Sequence, residues 1–337
     1  MSRLEISSEP VTLPLPAGPG VEKTLPPALE QVLFGECDTI FAVLDAGRID
    51  GLRERLAALG VAHHSLFSER MTEEAGDSAP WLVAFDAKNP LLYRMLCDVE
   101  GDHAGVHGVL RRGAGILLRS ELEIAVLRQH LRRFMRVKDA HERNFFFRFW
   151  EPEAAAVYFR TVAERSETVV RWMCPHGAPA GIDAFFFPVW LDGPELLCAV
   201  PVDLPDPPPP PRGRFALTEE EVEAFGALQW RRDRQALAER LAQTFPHKAK
   251  AAGDDLRPIV HETVDACVGA GFWRRDMLFT FCAWALHFGV DFIARDPKGE
   301  VARLMALPLS VEERFELITE RMDTLERDHF ALPGSLG

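Results

Sequence analysis

The sequence lacks the short motifs that mark several common classes of enzyme. It contains neither the GxGxxG nor the GxxxxGK[ST] pattern of a phosphate-binding loop, and no HExxH pattern of a zinc-dependent protease. It also has no GxSxG turn, which would expose a nucleophilic serine. These absences argue against a phosphate-loop nucleotide-binding protein, a zinc protease and an α/β-hydrolase, and we expect neither a cofactor nor a metal ion.

Positive charge is also scarce. The chain has 38 lysines and arginines against 51 aspartates and glutamates, and its formal net charge is −13. A protein that binds the phosphate backbone of nucleic acid, or an anionic membrane surface, needs a basic face. We expect neither nucleic acid nor a membrane as a partner.

The six cysteines form no CxxC pair, and most have apolar neighbours, as expected for reduced thiols in a reducing compartment. The first residues show no charged segment followed by an apolar core, so we expect no secretory signal and a cytoplasmic location. One apolar stretch, Met277 to Ala294, approaches the length of a membrane span. Its His287, Gly289 and Asp291 favour a buried helix of a soluble protein instead.

Prolines divide the chain into regions. Residues 1–30 are rich in proline and predict a flexible arm that packs little. Residues 31–203 alternate apolar strand patterns with amphipathic helices and predict an α/β domain with a mixed sheet flanked by helices. Residues 204–215 contain an unbroken proline run and predict a stiff linker, and residues 216–330 predict an all-helical domain. A serine or threonine followed three residues later by glutamate, a pattern that begins helices, occurs at Ser120/Glu123, Thr218/Glu221 and Ser310/Glu313.

The segment 144–152, with the sequence NFFFRFWEP, combines apolar residues with a single cation. Its pattern predicts a strand from Phe145 to Trp150 that is covered on both faces. An arginine in such a strand needs a carboxylate partner, so Arg148 points to Glu151 or Asp45. Replacing a buried and paired Arg148 by alanine would cost about 3–5 kcal/mol. Pro152 is expected to end the strand pairing and to begin a helix at its first turn.

Three carboxylates, Asp45, Asp86 and Glu151, fall at or near predicted strand ends. In open α/β sheets ligands collect at the carboxyl ends of the strands, so these residues offer one place for a small-molecule pocket. The other interpretation is that they cap turns and neutralise Arg148, and we favour it.

Two further groups of residues are weaker candidates. His103 and His107 are four residues apart and, with His63, His64 or Cys97, have the residue types of a metal site. Cys174 and His176 place a thiol near an imidazole. We interpret the histidines as polar loop residues and the cysteine as a half-buried turn residue.

The order of several segments resembles the adaptor domain of bacterial type VI secretion, a family of effector chaperones. The resemblance covers roughly residues 34–200, and the chain has Trp150 where tyrosine is common and Glu151 where aspartate is common. The segments that carry it are Asp45 after an apolar strand, His64–Phe67, Ala79–Val83, Leu131–Phe134 and Phe147–Pro152.

This resemblance implies a protein that holds a toxic effector and helps to load it onto the VgrG spike protein. It also implies no catalytic residues, so we expect a protein that is not an enzyme. Two alternatives stay open, a small-molecule-binding enzyme and an immunity partner that neutralises a toxin. We take the following as candidate structural or partner-binding positions: Asp45, Trp81, Phe147, Arg148, Trp150, Glu151 and Pro152.

Overall fold

The computed structural model describes residues 1–15, 23–75, 78–97, 108, 111–178, 180–190, 194–206 and 213–327. The chain divides into two compact units, Met1–Leu228 and Gln229–Gly337. The first unit contains the β-sheets and the second is helical, which confirms the predicted fold class.

A seven-stranded sheet forms the centre of the first unit. Its strands are β1 (Arg3–Pro10), β2 (Ile40–Asp45), β3 (His63–Ser65), β4 (Pro80–Phe85), β5 (Gly115–Ser120), β8 (Ile182–Trp190) and β9 (Pro194–Val202). They lie in the order β1-β9-β8-β5-β2-β4-β3, and each pair of neighbours is antiparallel. A smaller sheet contains β6 (Arg136–Asp139), β7 (Asn144–Phe146) and β10 (Ala216–Leu217), in which β10 runs parallel to β6.

The large sheet is covered on both faces, which explains its uninterrupted apolar strands. Alternate residues of β2 enter different cores: Phe41 and Val43 join one, whereas Ala42 and Leu44 join the other. The first core also holds residues of α5 (Ile124–Leu131), α6 (Pro152–Val162) and α7 (Ser166–Met173). The second core holds residues of α1 (Pro27–Phe34), α2 (Leu52–Ala58) and α4 (Pro90–Leu96). Helix α3 (Glu69–Ala75) packs Met71 and Ala75 against the first core.

The prediction of a flexible arm over residues 1–30 is wrong for much of that range. Strand β1 pairs along its whole length with β9, from Arg3 opposite Val202 to Pro10 opposite Glu195. Leu4 is 3% exposed and belongs to the core. An edge strand tolerates a terminal proline, because only one of its sides needs hydrogen-bond donors.

The expected helix starts can be checked at three places. Thr218 and Glu221 form the reciprocal bonds of a capping box at the start of α8 (Glu219–Thr244), and Ser310 and Glu313 do the same before α14 (Val311–Arg327). At the third place the prediction is wrong: Ser120 ends β5, and its hydroxyl donates to the carbonyl of Gly181. A strand that continues to Ser120 leaves no room for that residue to cap α5.

The first turns of α8, which belong to the first unit, are bonded to Arg165, which immediately precedes α7. Its Nη1 donates to Thr218 Oγ1 at 3.0 Å and to Glu221 Oε1 at 2.8 Å. Glu221 is 2% exposed, and burial, partly offset by the bonds from Thr218 and the charge of Arg165, raises the pKa of its carboxyl. This carboxylate therefore depends on Arg165 for its counter-charge.

The second unit consists of the rest of α8 together with α9 (Pro246–Ala252), α10 (Leu256–Gly269), α11 (Arg275–Phe288), α12 (Phe292–Arg295), α13 (Glu300–Met305) and α14. Buried Asp296 precedes α13 and accepts hydrogen bonds from the side chain of Arg321 and from the backbone N–H of Val301. The apolar stretch from Met277 is divided at Gly289, whose φ of +100° ends α11. Among the residues that the structure describes, no helix has the length and apolarity needed to cross a bilayer.

The predicted linker, residues 204–215, cannot be compared over its central part. Residues 207–212, which contain the proline run, lie outside the described residues. The linker and the domain boundaries drawn from it stay predictions.

Candidate functional site

An ion pair between Asp45 and Arg148 lies where β2 ends. Asp45 is 4% exposed, and its Oδ1 accepts a hydrogen bond from the Gly47 N–H at 3.1 Å, capping the short 3-10 helix Ala46–Arg48. Nη2 of Arg148 donates to Oδ2 of Asp45. Of the two carboxylates considered for Arg148, the structure selects Asp45.

Arg48 extends this pair into a network that sequence reasoning missed. Its Nε lies 3.9 Å from Asp45 Oδ2, and its Nη2 lies 3.8 Å from Glu151 Oε1. Its Nη1 donates to the carbonyl oxygens of Arg112 and Gly113, at 2.9 and 3.2 Å. The signal available in the sequence was the spacing, because Arg48 follows Asp45 by three residues, about one helical turn.

Arg148 is not buried, so the prediction of a strand covered on both faces is wrong. Strand β7 ends at Phe146 and pairs with β6 over only three residues. Beyond it the side chains alternate, with Phe147 buried and Arg148 48% exposed. Strand β7 is the edge strand of the small sheet, and Arg148 lies beyond its end. The guanidinium carbon of Arg148 lies 6.0 Å from the ring centroid of Trp150, within range of a cation–π contact.

Phe147 and Trp150 belong to a buried aromatic cluster of the first core. Phe147 is 5% exposed, and its ring centroid lies 4.9 Å from that of Tyr158. Nε1 of Trp172 donates to the hydroxyl of Tyr158 at 3.0 Å, and burial raises the pKa of that hydroxyl. Phe147 and Trp150 therefore contribute packing that fixes the backbone around Arg148.

Of the remaining candidates, Pro152 lies next to the network and Trp81 lies away from it. Pro152 begins α6 at its first turn, as predicted. It packs close to Gly113, where a side chain would meet Arg48 Nη1 at 3.2 Å and would need a φ of +64°. Trp81 lies in the core on the other face of the sheet, with its ring centroid 5.4 Å from that of His63.

Asp45, Asp86 and Glu151 do not form one pocket. In the antiparallel pair of β2 and β4, Asp45 lies opposite Pro80 and Ile40 lies opposite Phe85. Asp86 therefore lies at the opposite end of the sheet from Asp45, where its Oδ1 accepts from the Lys88 N–H at 2.9 Å. The small-molecule alternative assumed parallel strands, whose carboxyl ends share one edge, and the antiparallel register contradicts it. The favoured interpretation fits Asp45 and Asp86, each of which accepts from the N–H two residues on.

The weaker candidates can be followed only where the structure describes them. His103 and His107 lie outside the described residues. Within the described ranges, no group of three or more histidine, cysteine or acidic residues is arranged to hold a metal ion. Cys174 is half-buried, and burial raises the pKa of its thiol, which disfavours the nucleophilic thiolate.

A family model matches the middle of the first unit. Residues 40–168 match the family described as "Domain of unknown function (DUF4123)". The match covers less than half of the 337 residues but includes every candidate position from Asp45 to Pro152. No curated protein and no solved structure was found to match the chain.

Proposed function

We propose that the protein is a cytoplasmic adaptor of bacterial type VI secretion. It binds a toxic effector and helps to load that effector onto the VgrG spike protein by protein–protein contacts, without making or breaking a covalent bond. The observation that carries this proposal is the match of residues 40–168 to DUF4123, a family associated with such adaptors. The segments on which the resemblance rests lie within that match.

The first unit offers one surface suited to a protein partner. Phe146 is 45% exposed and Arg148 is 48% exposed. The Phe146 ring is T-shaped against the buried Trp150 ring, and the Arg148 guanidinium lies over that same ring. We call Phe146 and Arg148 the Arg148 surface. Aromatic and arginine side chains held on a rigid base are the types that contribute most to binding at interfaces.

The second unit offers another surface of the same kind. A groove of about 330 Å³ is lined by Trp230 and Trp273, which are 40% and 66% exposed, together with Arg234, Arg240 and Arg275. We call this the Trp273 groove. Exposed tryptophans are unusual on a surface that binds nothing, because they leave a large apolar area in water. Two such surfaces, one in each unit, suit a protein that binds two partners.

The first experiment is co-purification of the full chain with a toxin from a neighbouring gene and with the carboxyl-terminal segment of VgrG. We expect both partners to co-elute with the chain. If neither does, the proposal loses its basis. If deletion of the gene leaves secretion unchanged but causes self-intoxication, the protein is an immunity partner instead.

Two variants then assign the surfaces. Phe146→Ala should weaken binding of one partner and Trp273→Ala binding of the other. Each dissociation constant should rise about tenfold, as expected for truncation of an important contact residue. Matched controls are Leu59→Ala and Leu309→Ala, which truncate apolar side chains of similar exposure, 50% and 42%, that line neither surface. Equal effects of the variants and the controls would contradict the assignment.

A further inference from the structure

A cavity of about 870 Å³ lies in the first unit beside the end of α5. Its walls come from α5 and the turn after it, from α7, and from segments next to β1, β9 and β10. Cavities that hold small ligands or short segments are commonly of this size. The family resemblance assigns no role to it.

His130 gives this cavity an unusual hydrogen-bonding group. The residue is 4% exposed and lines the cavity, and its Nε2 lies 2.8 Å from the carbonyl oxygen of Trp172. Because a carbonyl can only accept, Nε2 must carry the hydrogen, which leaves Nδ1 as an acceptor. In the described part of the chain, this buried Nδ1 has no hydrogen-bond partner.

The charge of His130 is fixed by its surroundings. Burial lowers the pKa of its imidazole to about 4, and the charge of Arg133 lowers it further, against the bond to Trp172. The ring is therefore neutral at pH 7. A neutral ring with a bare Nδ1 can accept a hydrogen bond from an N–H or O–H donor of a ligand.

The rim of the cavity is positively charged in a chain whose net charge is −13. Four arginines line the cavity against one glutamate and one aspartate, and the glutamate is 3.3 Å from Arg171. Arg133 and Arg214 are exposed. The inner wall also includes Phe134 and Phe215, whose rings are in edge contact. The site thus combines cations, an apolar wall and one buried acceptor.

We propose that this cavity binds an acidic peptide segment of a partner protein. Its carboxylates lie at Arg133 and Arg214, its apolar atoms lie against Phe134, and a backbone N–H donates to Nδ1 of His130. Inorganic phosphate satisfies the arginines but fills only a small part of 870 Å³. The proposal rests on the proposed function in one respect, namely that the protein binds other proteins.

Fluorescence anisotropy with synthetic peptides tests the charge requirement. A short labelled peptide containing aspartates and one phenylalanine is compared with the same peptide carrying asparagines. We expect the acidic peptide to bind about tenfold more tightly, and added salt to weaken it. The double variant Arg133→Ala/Arg214→Ala should lose this preference, whereas Arg53→Ala, which removes an exposed arginine of α2 outside the cavity, should not.

Variants of His130 test the hydrogen bond. His130→Leu removes the acceptor and should weaken the acidic peptide about tenfold, whereas His130→Asn keeps an oxygen near the position of Nδ1 and should retain most of the affinity. A peptide methylated at the bound amide should lose affinity for the wild type but not for His130→Leu. Thermal melts identify any variant that does not fold, and the methylated peptide supplies the same test on the unaltered protein.

Three results would overturn the proposal. They are equal binding of the acidic and asparagine peptides, unchanged binding by the double arginine variant, and competition by inorganic phosphate at the same concentration as the peptide. Because the peptides are synthetic, these results do not depend on the identity of the effector. Failure to co-purify with VgrG would count against the adaptor function alone.

Discussion

Replacement of Arg148 by alanine measures how much a half-exposed arginine contributes to the free energy of unfolding when its carboxylate partner is buried. The Arg148 side chain is 48% exposed, whereas that of Asp45 is 5% exposed. A fully buried pair that loses one member costs about 3–5 kcal/mol, and an exposed pair contributes about 0.2–1 kcal/mol. In the variant, Asp45 still accepts the hydrogen bond from the Gly47 N–H and still has Arg48 Nε at 3.9 Å. We therefore expect the free energy of unfolding to fall by about 1–2 kcal/mol.

A double-mutant cycle separates the pair from its surroundings. Asp45→Asn keeps the volume and a cap for the Gly47 N–H but removes the charge, and Arg148→Met keeps the aliphatic part of the side chain. We expect a coupling free energy of about 1 kcal/mol between the two changes. Salt should lower it only partly, because Asp45 is shielded from solvent.

Urea unfolding followed by tryptophan fluorescence and far-ultraviolet circular dichroism provides the measurement. Where the two units unfold in separate transitions, the urea midpoint of the second unit should not shift, because both replacements lie in the first unit. The slope of free energy against urea should also stay unchanged. A loss above about 3 kcal/mol would show that Arg148 behaves as a buried charge, and a loss below about 0.3 kcal/mol would show that Arg48 alone neutralises Asp45.

Other titratable groups give further predictions. Burial raises the pKa of Asp296, but the hydrogen bonds from Arg321 and from backbone N–H groups lower it more, to about 2 from 3.8. Its contribution, about 2 kcal/mol above pH 4, should be lost as the pH falls through 2, so the stabilities of Asp296→Asn and wild type should converge in acid melts. Arg165→Met should destabilise the first unit less at pH 5 than at pH 8 in thermal melts, because a protonated Glu221 needs no cation. Burial raises the pKa of Cys267 to about 12, so its thiol should react with a disulfide reagent only after unfolding in urea, as monitored by mass spectrometry.

The strands of the large sheet were predictable because burial on both faces leaves an uninterrupted apolar run. Strands β2 and β4, Ile40–Asp45 and Pro80–Phe85, are such runs. Their direction was not predictable, because such a run is the same in parallel and antiparallel sheets. This is why the small-molecule alternative, which placed Asp86 beside Asp45, could not be excluded from the sequence.

Strand β1 was missed for a different reason. Its partner β9 is nearly two hundred residues away in the sequence, and the alternation of Leu4 and Ile6 is short. Proline density in the surrounding segment outweighed that alternation. Pairing over such a distance is decided by the core that Leu4 joins and not by local preference.

The ion pair of the candidate site was predicted, whereas Arg48 and the exposure of Arg148 were not. The pairing of Arg148 with a carboxylate followed from the cost of an unpaired charge, and Asp45 was one of two candidates. The burial of Arg148 was predicted wrongly, because alternation of inward and outward side chains is hidden when nearly every residue is aromatic. His130 was missed although it follows Leu127 by three residues, a spacing that places both on the buried face of α5.

The residues that carry the family resemblance are mostly those that the fold buries. Asp45, Phe147 and Trp150 are each no more than 5% exposed, and Pro152 is buried at the first turn of α6. Such residues stabilise the fold. Replacing them changes core packing and helix capping directly, and changes contacts with a partner only as a consequence. We infer that partner choice depends on exposed positions, of which Phe146 lies just outside the segments that carry the resemblance. Exchanging Phe146 should therefore alter binding while leaving stability unchanged, whereas exchanging Phe147 should lower stability first, since its ring is packed in the core.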